Sequence, residues 1–321
     1  MGVLKVPDSR LEHLTELHES RKTTPATIEF VLIPGLVKAG DQNERLDLAG
    51  LRNVDVLVHV VRAFDNPAVA HPAGSVDASR DIELLELELI LADLSLVEKR
   101  LERIEADTRK GNKADPLETR SLEKAREALA QEKPVRAALD AEDRERVKGY
   151  ALLTAKPVLL VVNVDESSAA DADIGATLGL EKWDAEPSIK VTGVSAQIES
   201  EIAQLPDEDA IAFREDIGLS DGAVERLVRA AFELMGVITF YTAGDTESRA
   251  WVIAQNTGAA KAAGTIHSDM ERGFIRAEVV DYDTLVEIGS WNACRDKGQL
   301  RLEGKDYPIA EADVVFFRFN V

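Results

Sequence analysis

Cysteine is almost absent from this chain. Cys294 stands alone, so no intramolecular disulfide can form, which suits a reducing cytoplasm as the expected location. Long apolar runs are missing as well: no stretch approaches the roughly 18 residues that a membrane-spanning helix needs, and no membrane partner is expected. The opening MGVLKVPDSR has neither the apolar core of a secretion signal nor a Ser or Thr where a myristoylation signal requires one. Five histidines, at 13, 18, 59, 71 and 267, show no metal-ligand spacing, so the expectation is no metal site. Positive charge is scarce too. The 38 Lys and Arg against 59 Asp and Glu leave a net charge of −21, which argues against a broad cationic face and against DNA as a partner.

Catalytic signatures are equally sparse. No G-x-x-x-x-G-K-[ST] occurs, the loop whose amides and Lys cradle nucleotide phosphates, and the one Gly304-Lys305 pair is followed by Asp306. There is no G-x-S-x-G elbow and no H-E-x-x-H. No catalytic residue is therefore assigned.

What is present is enough apolar material, 45% of 321 residues, for two or three domains. Four β-branched runs stand out: EFVLI (29–33), VDVLVHVVR (54–62), KPVLLVVN (156–163) and SIKVTGVS (188–195). Continuous rather than alternating hydrophobicity predicts strands buried on both faces, hence a mainly parallel sheet in an α/β protein. GVLKV (2–6) reads as an additional edge strand. Residues 78–149 differ: Leu87, Ile90, Leu94, Val97, Leu101 and Ile104 form a heptad seam, RKGNKADP (109–116) interrupts it, and Leu122, Ala125 and Leu129 resume it. That pattern predicts an inserted antiparallel helical hairpin. From about Val237 the texture is β-rich with Gly and Asp turns, a small α+β module. The expected division is 1–77 with 150–236 as a nucleotide-binding domain, 78–149 as hairpin, and 237–321 as terminal domain. Charge follows this division. Residues 78–149 carry 15 basic and 18 acidic side chains and 237–321 carry 9 and 13, so these two regions can touch RNA locally while the acidity concentrates in 150–236.

Two loops after strands invite a chemical reading. In VVNVDE, Asn163 and Glu166 follow an apolar run, where an Asn can read a nucleobase edge. In GVSAQIESEI, Ser195 and Ala196 sit between a strand and a helix, where backbone amides can face a base. The plainer reading of Asn163, a turn former at a strand end, stays open beside this one.

Together these segments resemble the YchF/Obg-like ATPase family, a branch of the translation-factor class of GTPases. The resemblance is carried by TFYTAGDTESRAWVI, AAGTIHSDMERGFIRAEVV and EGKDYPIAEADVVFFRFNV at the C-terminal end. IEFVLIPGLVKAG, DIELLELELILADL and LLTAKPVLLVVNVDE follow in order before them. It implies an incomplete P-loop GTPase-like sheet, the helical hairpin, and a C-terminal β-grasp (TGS-like) domain. It also implies ribosome or translation-associated partners and a base-reading N-x-x-E at Asn163 and Glu166, with Ser195-Ala196 as the second base loop.

Two departures from the family pattern shape the expected function. Family members begin with a strand, a phosphate loop and a helix, and this sequence is read as starting after them. Where the family has D-x-A-G, with an Asp that orients magnesium, this chain has Leu32-Ile33-Pro34-Gly35. Gly35 keeps its place, while Leu32 cannot hold a cation. The expectation is a vestigial nucleotide site (Asn163, Glu166, Ser195, Ala196, Gly35) with no required cofactor, at most weak ATP or GTP binding, no magnesium and no hydrolysis. A truncated active ATPase or GTPase is the alternative reading. With the first strand missing, runs 29–33 and 54–62 are expected to pair directly.

Overall fold

The computed structural model describes residues 2–33, 48–171, 173–219 and 221–320. Contacts divide the chain into Met1–Val31 with Met235–Val321 as one unit, and Leu32–Leu234 as the other.

Strand β1 (Gly2–Lys5), helix α1 (Ser9–Leu17), strand β2 (Thr23–Thr24) and strand β3 (Thr27–Phe30) open the chain. Asp8 caps α1 by accepting from the Arg10 amide, and Leu11 and Leu14 face inward three residues apart. The expected pairing of run 29–33 with run 54–62 is not what forms. β3 ends at Phe30 and runs antiparallel to β1, Gly2 opposite Phe30 and Lys5 opposite Thr27. Its sequence explains the choice: in TIEF the polar Thr27 and Glu29 are exposed while Ile28 and Phe30 are half-buried. Such alternation suits a one-sided antiparallel ladder and not a strand covered on both faces. The partner is also near in sequence, so the loop to be closed is short.

The Leu32–Leu234 unit is built on a parallel sheet of β4 (Leu57–Arg62), β5 (Val158–Asn163) and β6 (Ile189–Val194), in that order. The fold class expected from the continuous apolar runs is the one observed. β5 is buried at five of its six positions. Leu160 and Val162 pack on one side with Leu57, Val61, Ile82 and Leu89, and Leu159 and Val161 on the other with Ala223. β4 is half-buried, with Val58 and Val60 exposed, and among the described residues it pairs with β5 alone. A short helix α2 (Leu48–Arg52) precedes it.

Between β4 and β5 runs the hairpin of α3 (Ala78–Arg109) and α4 (Pro116–Ala130). Both helices start on an aspartate cap: Asp77 accepts from the Arg80 amide, and Asp115 from the Leu117 amide ahead of a Pro at the first turn. The seam of Ile90, Val97, Leu101 and Ile104 meets Leu122, Ala125 and Leu129 as its spacing predicts. Above Ile90 the seam departs from the heptad. Leu87 is exposed, and Ile82 and Leu89 turn instead to the parallel-sheet core. Asp93, wholly buried, takes a seam position and Leu94 is only half-buried. The Asp93 carboxylate accepts from the Thr154 amide (2.8 Å), the Thr154 hydroxyl (2.9 Å) and Arg52 Nη1 (3.0 Å), tying hairpin to sheet.

The other unit holds β7 (Val237–Thr242), β8 (Ser248–Ala254), β9 (Phe274–Asp281), β10 (Arg301–Glu303) and β11 (Asp313–Phe319). With β2 they form a six-stranded sheet ordered β10-β9-β11-β7-β8-β2. Phe240, Val279, Val315 and Phe317 face helix Ala259–Ile266 on one side. Tyr241, Val280 and Val314 face α1 and helix Tyr282–Ile288 on the other. The expected division assigned residues 1–77 to the nucleotide-binding part, whereas 2–31 pack on this C-terminal sheet: Thr23 pairs with Ser248, and the Tyr241 hydroxyl donates to Asp8. Burial, reinforced by Asp8, pushes the Tyr241 phenol well above its ordinary range, so it stays a donor.

Candidate functional site at the carboxyl ends of the parallel strands

In parallel α/β sheets, ligands bind beyond the carboxyl ends of the strands, because loops and helix starts converge there. Here the register brings Arg62, Asn163 and Val194 into one row at that edge. Each of the following loops is set by a different local device.

After β5, Asp165 accepts from the Ser167 hydroxyl (2.7 Å) and the Ser168 amide (3.1 Å), folding Glu166–Ser168 into a single 3₁₀ turn. These bonds, the Ser167 hydroxyl first, hold the Asp165 carboxyl below its usual range. Glu166 is exposed at the head of this turn. After β6, Ser195 occupies the cap position of helix Ala196–Ile202 without using its hydroxyl as a cap. Ser195 is 3% exposed and its Oγ has no partner, so one buried donor–acceptor group at this edge is unspent. The two loops are joined directly: Asn163 Oδ1 accepts from the Ala196 amide at 3.1 Å. An amide N–H requires an oxygen opposite it, which fixes the side chain and leaves Asn163 Nδ2 aimed away from the bond. The structure therefore brings Asn163, Ser195 and Ala196 together. Glu166 lies on the neighbouring turn, and Gly35 falls outside the described residues.

After β4, Arg62 spends its guanidinium on the chain just downstream, donating to the carbonyls of Phe64 (3.0 Å), Asn66 (3.1 Å) and Val69 (2.9 Å). It also lies 4.7 Å over the Phe64 ring. Sequence reading did not single out Arg62 or Asp165. D-x-S-S was the available signal for the second, an aspartate two and three residues before serines. Nothing in the local sequence marks the first.

Leu32 is 91% exposed and lies outside any strand. Among the described residues no group of three or more His, Cys, Asp or Glu is placed to hold a metal ion. His59, on β4, is driven down to about 4 by burial, against the pull of Asp81, and is neutral at pH 7.

The class is an α/β protein with a parallel sheet whose loops meet at the carboxyl edge, where such folds bind ligands, here with an inserted helical hairpin and a C-terminal α+β unit. The comparisons sharpen that class. Residues 237–320 match the family model YchF-GTPase_C, described as "Protein of unknown function (DUF933)". The chain is 41% identical over 326 residues to "Ribosome-binding ATPase YchF" of Bacillus subtilis, covering 100% of this chain and 89% of the relative. It is 34% identical over 322 residues to "Obg-like ATPase 1" of Oryza sativa subsp. indica, covering 98% and 82%. Among solved structures, that of the Schizosaccharomyces pombe YchF GTPase superposes with a TM-score of 0.84 at 29% identity, covering 98% of this chain and 86% of the other. The chain belongs to the YchF family.

Proposed function

We propose that this protein associates with the ribosome or a translation-associated complex, that its nucleotide-binding fold works there as a binding module, and that these 321 residues do not hydrolyse nucleotide. The observation that carries the second half lies within the chain: Leu32 stands where the resemblance places a magnesium-orienting Asp. Phosphoryl transfer relies almost wholly on positioning and on neutralising phosphate charge. Loss of even one preorganised donor typically costs about 10²–10³ in rate. The ribosomal half is supported by relatives named ribosome-binding ATPases.

The base end supports a second, compatible reading. The bond from the Ala196 amide to Asn163 Oδ1 joins the two loops, and the buried Ser195 hydroxyl beside it has no partner and is free to meet a ligand, which supports this reading. Glu166 completes an N-x-x-E with Asn163. A nucleotide bound through its base alone would have affinity in the millimolar range, about −4 kcal/mol. Calorimetry with ATP and GTP, with and without magnesium, joined to phosphate-release assays on this chain, tests both statements. Steady phosphate release or micromolar ATP binding by these 321 residues would show the site to be complete and return the chain to the active ATPases. Co-sedimentation with purified ribosomal subunits tests the partner, and a chain left wholly in the supernatant refutes it.

A further inference from the structure

Among the described residues of its own unit, the C-terminal sheet has one face that is covered at one end only. Near Val280, Val314 and Tyr241 it is sealed by α1 and helix Tyr282–Ile288. Farther along the same face, the cross-strand pairs are Glu278 opposite Phe316 and Arg276 opposite Arg318, and β10 extends the first row by setting Leu302 opposite Glu278. Leu302 is 61% exposed and Phe316 is 47% exposed, whereas Glu278 between them is 3% exposed.

That buried carboxylate gathers three guanidinium groups. Arg276 (3.1 Å) and Arg318 (3.0 Å) meet its Oε1, and Arg295 Nη2 stands 3.5 Å from its Oε2. Two arginines directly opposite in a ladder repel each other. The carboxylate offsets this, and the Arg318 bond, ahead of Arg276, holds Glu278 below its ordinary range in spite of its burial. Each guanidinium carries five N–H donors, so one carboxylate leaves most of them unspent. All three arginine side chains are about half exposed. A chain of net charge −21 thus sets three arginines against one buried glutamate on a single face.

The ring says which anion fits. Phe316 packs into neither core of this sheet, and Arg318 lies 4.4 Å over its face. An acidic peptide would use the arginines and leave the ring idle. Polynucleotide single strands use both, stacking bases on aromatic faces and resting phosphates on arginines.

We propose that this face binds a single-stranded polynucleotide, with one base stacked at Phe316 beside Leu302 and flanking phosphates on Arg276, Arg295 and Arg318. That the strand is RNA and not DNA rests on the ribosomal reading above. The test is fluorescence anisotropy of an end-labelled, mixed-sequence single-stranded RNA with the full chain, alongside DNA of the same sequence and poly-glutamate as competitor. Phe316→Ala should weaken RNA binding roughly 5- to 100-fold, the worth of one stacked base, and Phe316→Trp should retain it. Arg318→Gln should flatten the dependence of log K on log salt by about 0.7, one phosphate contact on a single strand. Phe316 is about half exposed and packs into neither core, so the thermal transition of Phe316→Ala should stay in place; Arg318→Gln also loses a bond to buried Glu278, so its transition should fall and its readout is the salt slope. Unchanged RNA affinity in Phe316→Ala overturns the proposal, as does poly-glutamate displacing the RNA at matched charge, which would mark an acidic-polypeptide site. Tighter binding of the DNA overturns the choice of RNA. Sedimentation with ribosomal subunits keeps the two readings apart. Wild-type co-sedimentation with Phe316-independent RNA binding sinks this face alone. Phe316-dependent RNA binding without co-sedimentation sinks the ribosomal reading alone.

Discussion

Replacing Asp93 by alanine removes the acceptor for three donors at once, and the structure sets the size of the effect. The Thr154 amide and hydroxyl both bond to Asp93 Oδ2 in a buried setting. Hydrogen bonds to a charged group contribute about 1.5–3 kcal/mol each. Arg52 adds less, because its side chain is 20% exposed and keeps a 2.8 Å bond to the Ala151 carbonyl when the carboxylate is gone. Allowing for water entering the space, the net cost is about 4 kcal/mol, within the roughly 3–5 kcal/mol typical of breaking a buried charged network from one side. In a unit of this size that lowers the melting temperature by about 8–16 °C. The assay is urea unfolding followed by circular dichroism, with hydrogen exchange to locate the loss. Protection should fall in 78–109 and 150–163, and strands at 274–281 and 313–319 should keep theirs. Arg52→Met should cost no more than about 1.5 kcal/mol. An Asp93→Ala variant within about 1 kcal/mol of wild type, or an Arg52→Met variant as damaged as Asp93→Ala, refutes the reasoning.

Three further outcomes are expected. Asn163→Ala leaves the Ala196 amide at an exposed edge, so stability should fall by no more than about 1 kcal/mol while ATP binding, read by ligand-detected NMR, weakens about tenfold; unaltered ATP signals would remove Asn163 from the base site. His59 is held near 4 in the fold against about 6.5 when unfolded. Acidification from pH 6.5 to 4 therefore protonates the unfolded chain first, and wild type should lose roughly 3 kcal/mol relative to His59→Gln over that window, measured by urea midpoints; parallel pH profiles would contradict this. Leu32→Asp, at a side chain 91% exposed, should change stability by less than about 0.5 kcal/mol and should not start phosphate release; a clear rise in released phosphate would show that the remaining residues suffice for catalysis.

Much of this was legible in local pattern. The apolar run at 156–163 announced a doubly covered parallel strand, and that at 188–195 its parallel neighbour, which is fully buried only at Ile189 and Val194. The seam of Ile90, Val97, Leu101 and Ile104, the polar interruption at 109–116 and its resumption at Leu122, Ala125 and Leu129 placed the hairpin. Partnership was harder to read. EFVLI looks like a core strand by composition, but only the TIEF portion pairs, and it pairs with GVLK because strand choice depends on nonlocal competition and not on the strand's own hydrophobicity. Leu87 and Leu94 obey the heptad on paper. The hairpin's upper turns, however, answer to the sheet as well as to α4, so Leu89 and Asp93 are buried instead. The bond from Ala196 to Asn163 joins residues 33 apart, and no spacing rule announces it.

The pairing of the first residues with the last strands also sets an order of events during synthesis. Leu11 and Leu14, wholly or almost wholly buried in the finished molecule, have their places among Tyr241, Val280, Leu285 and Val314. They are made more than 200 residues before the strands that cover them and must wait for those partners. At about 5–20 residues per second, even the Thr23–Ser248 pairing cannot form for some 10–45 s after Thr23 is made. The whole Leu32–Leu234 unit is made within that interval while Leu11 and Leu14 remain uncovered, so this apolar segment is the one that waits longest for shelter from aggregation.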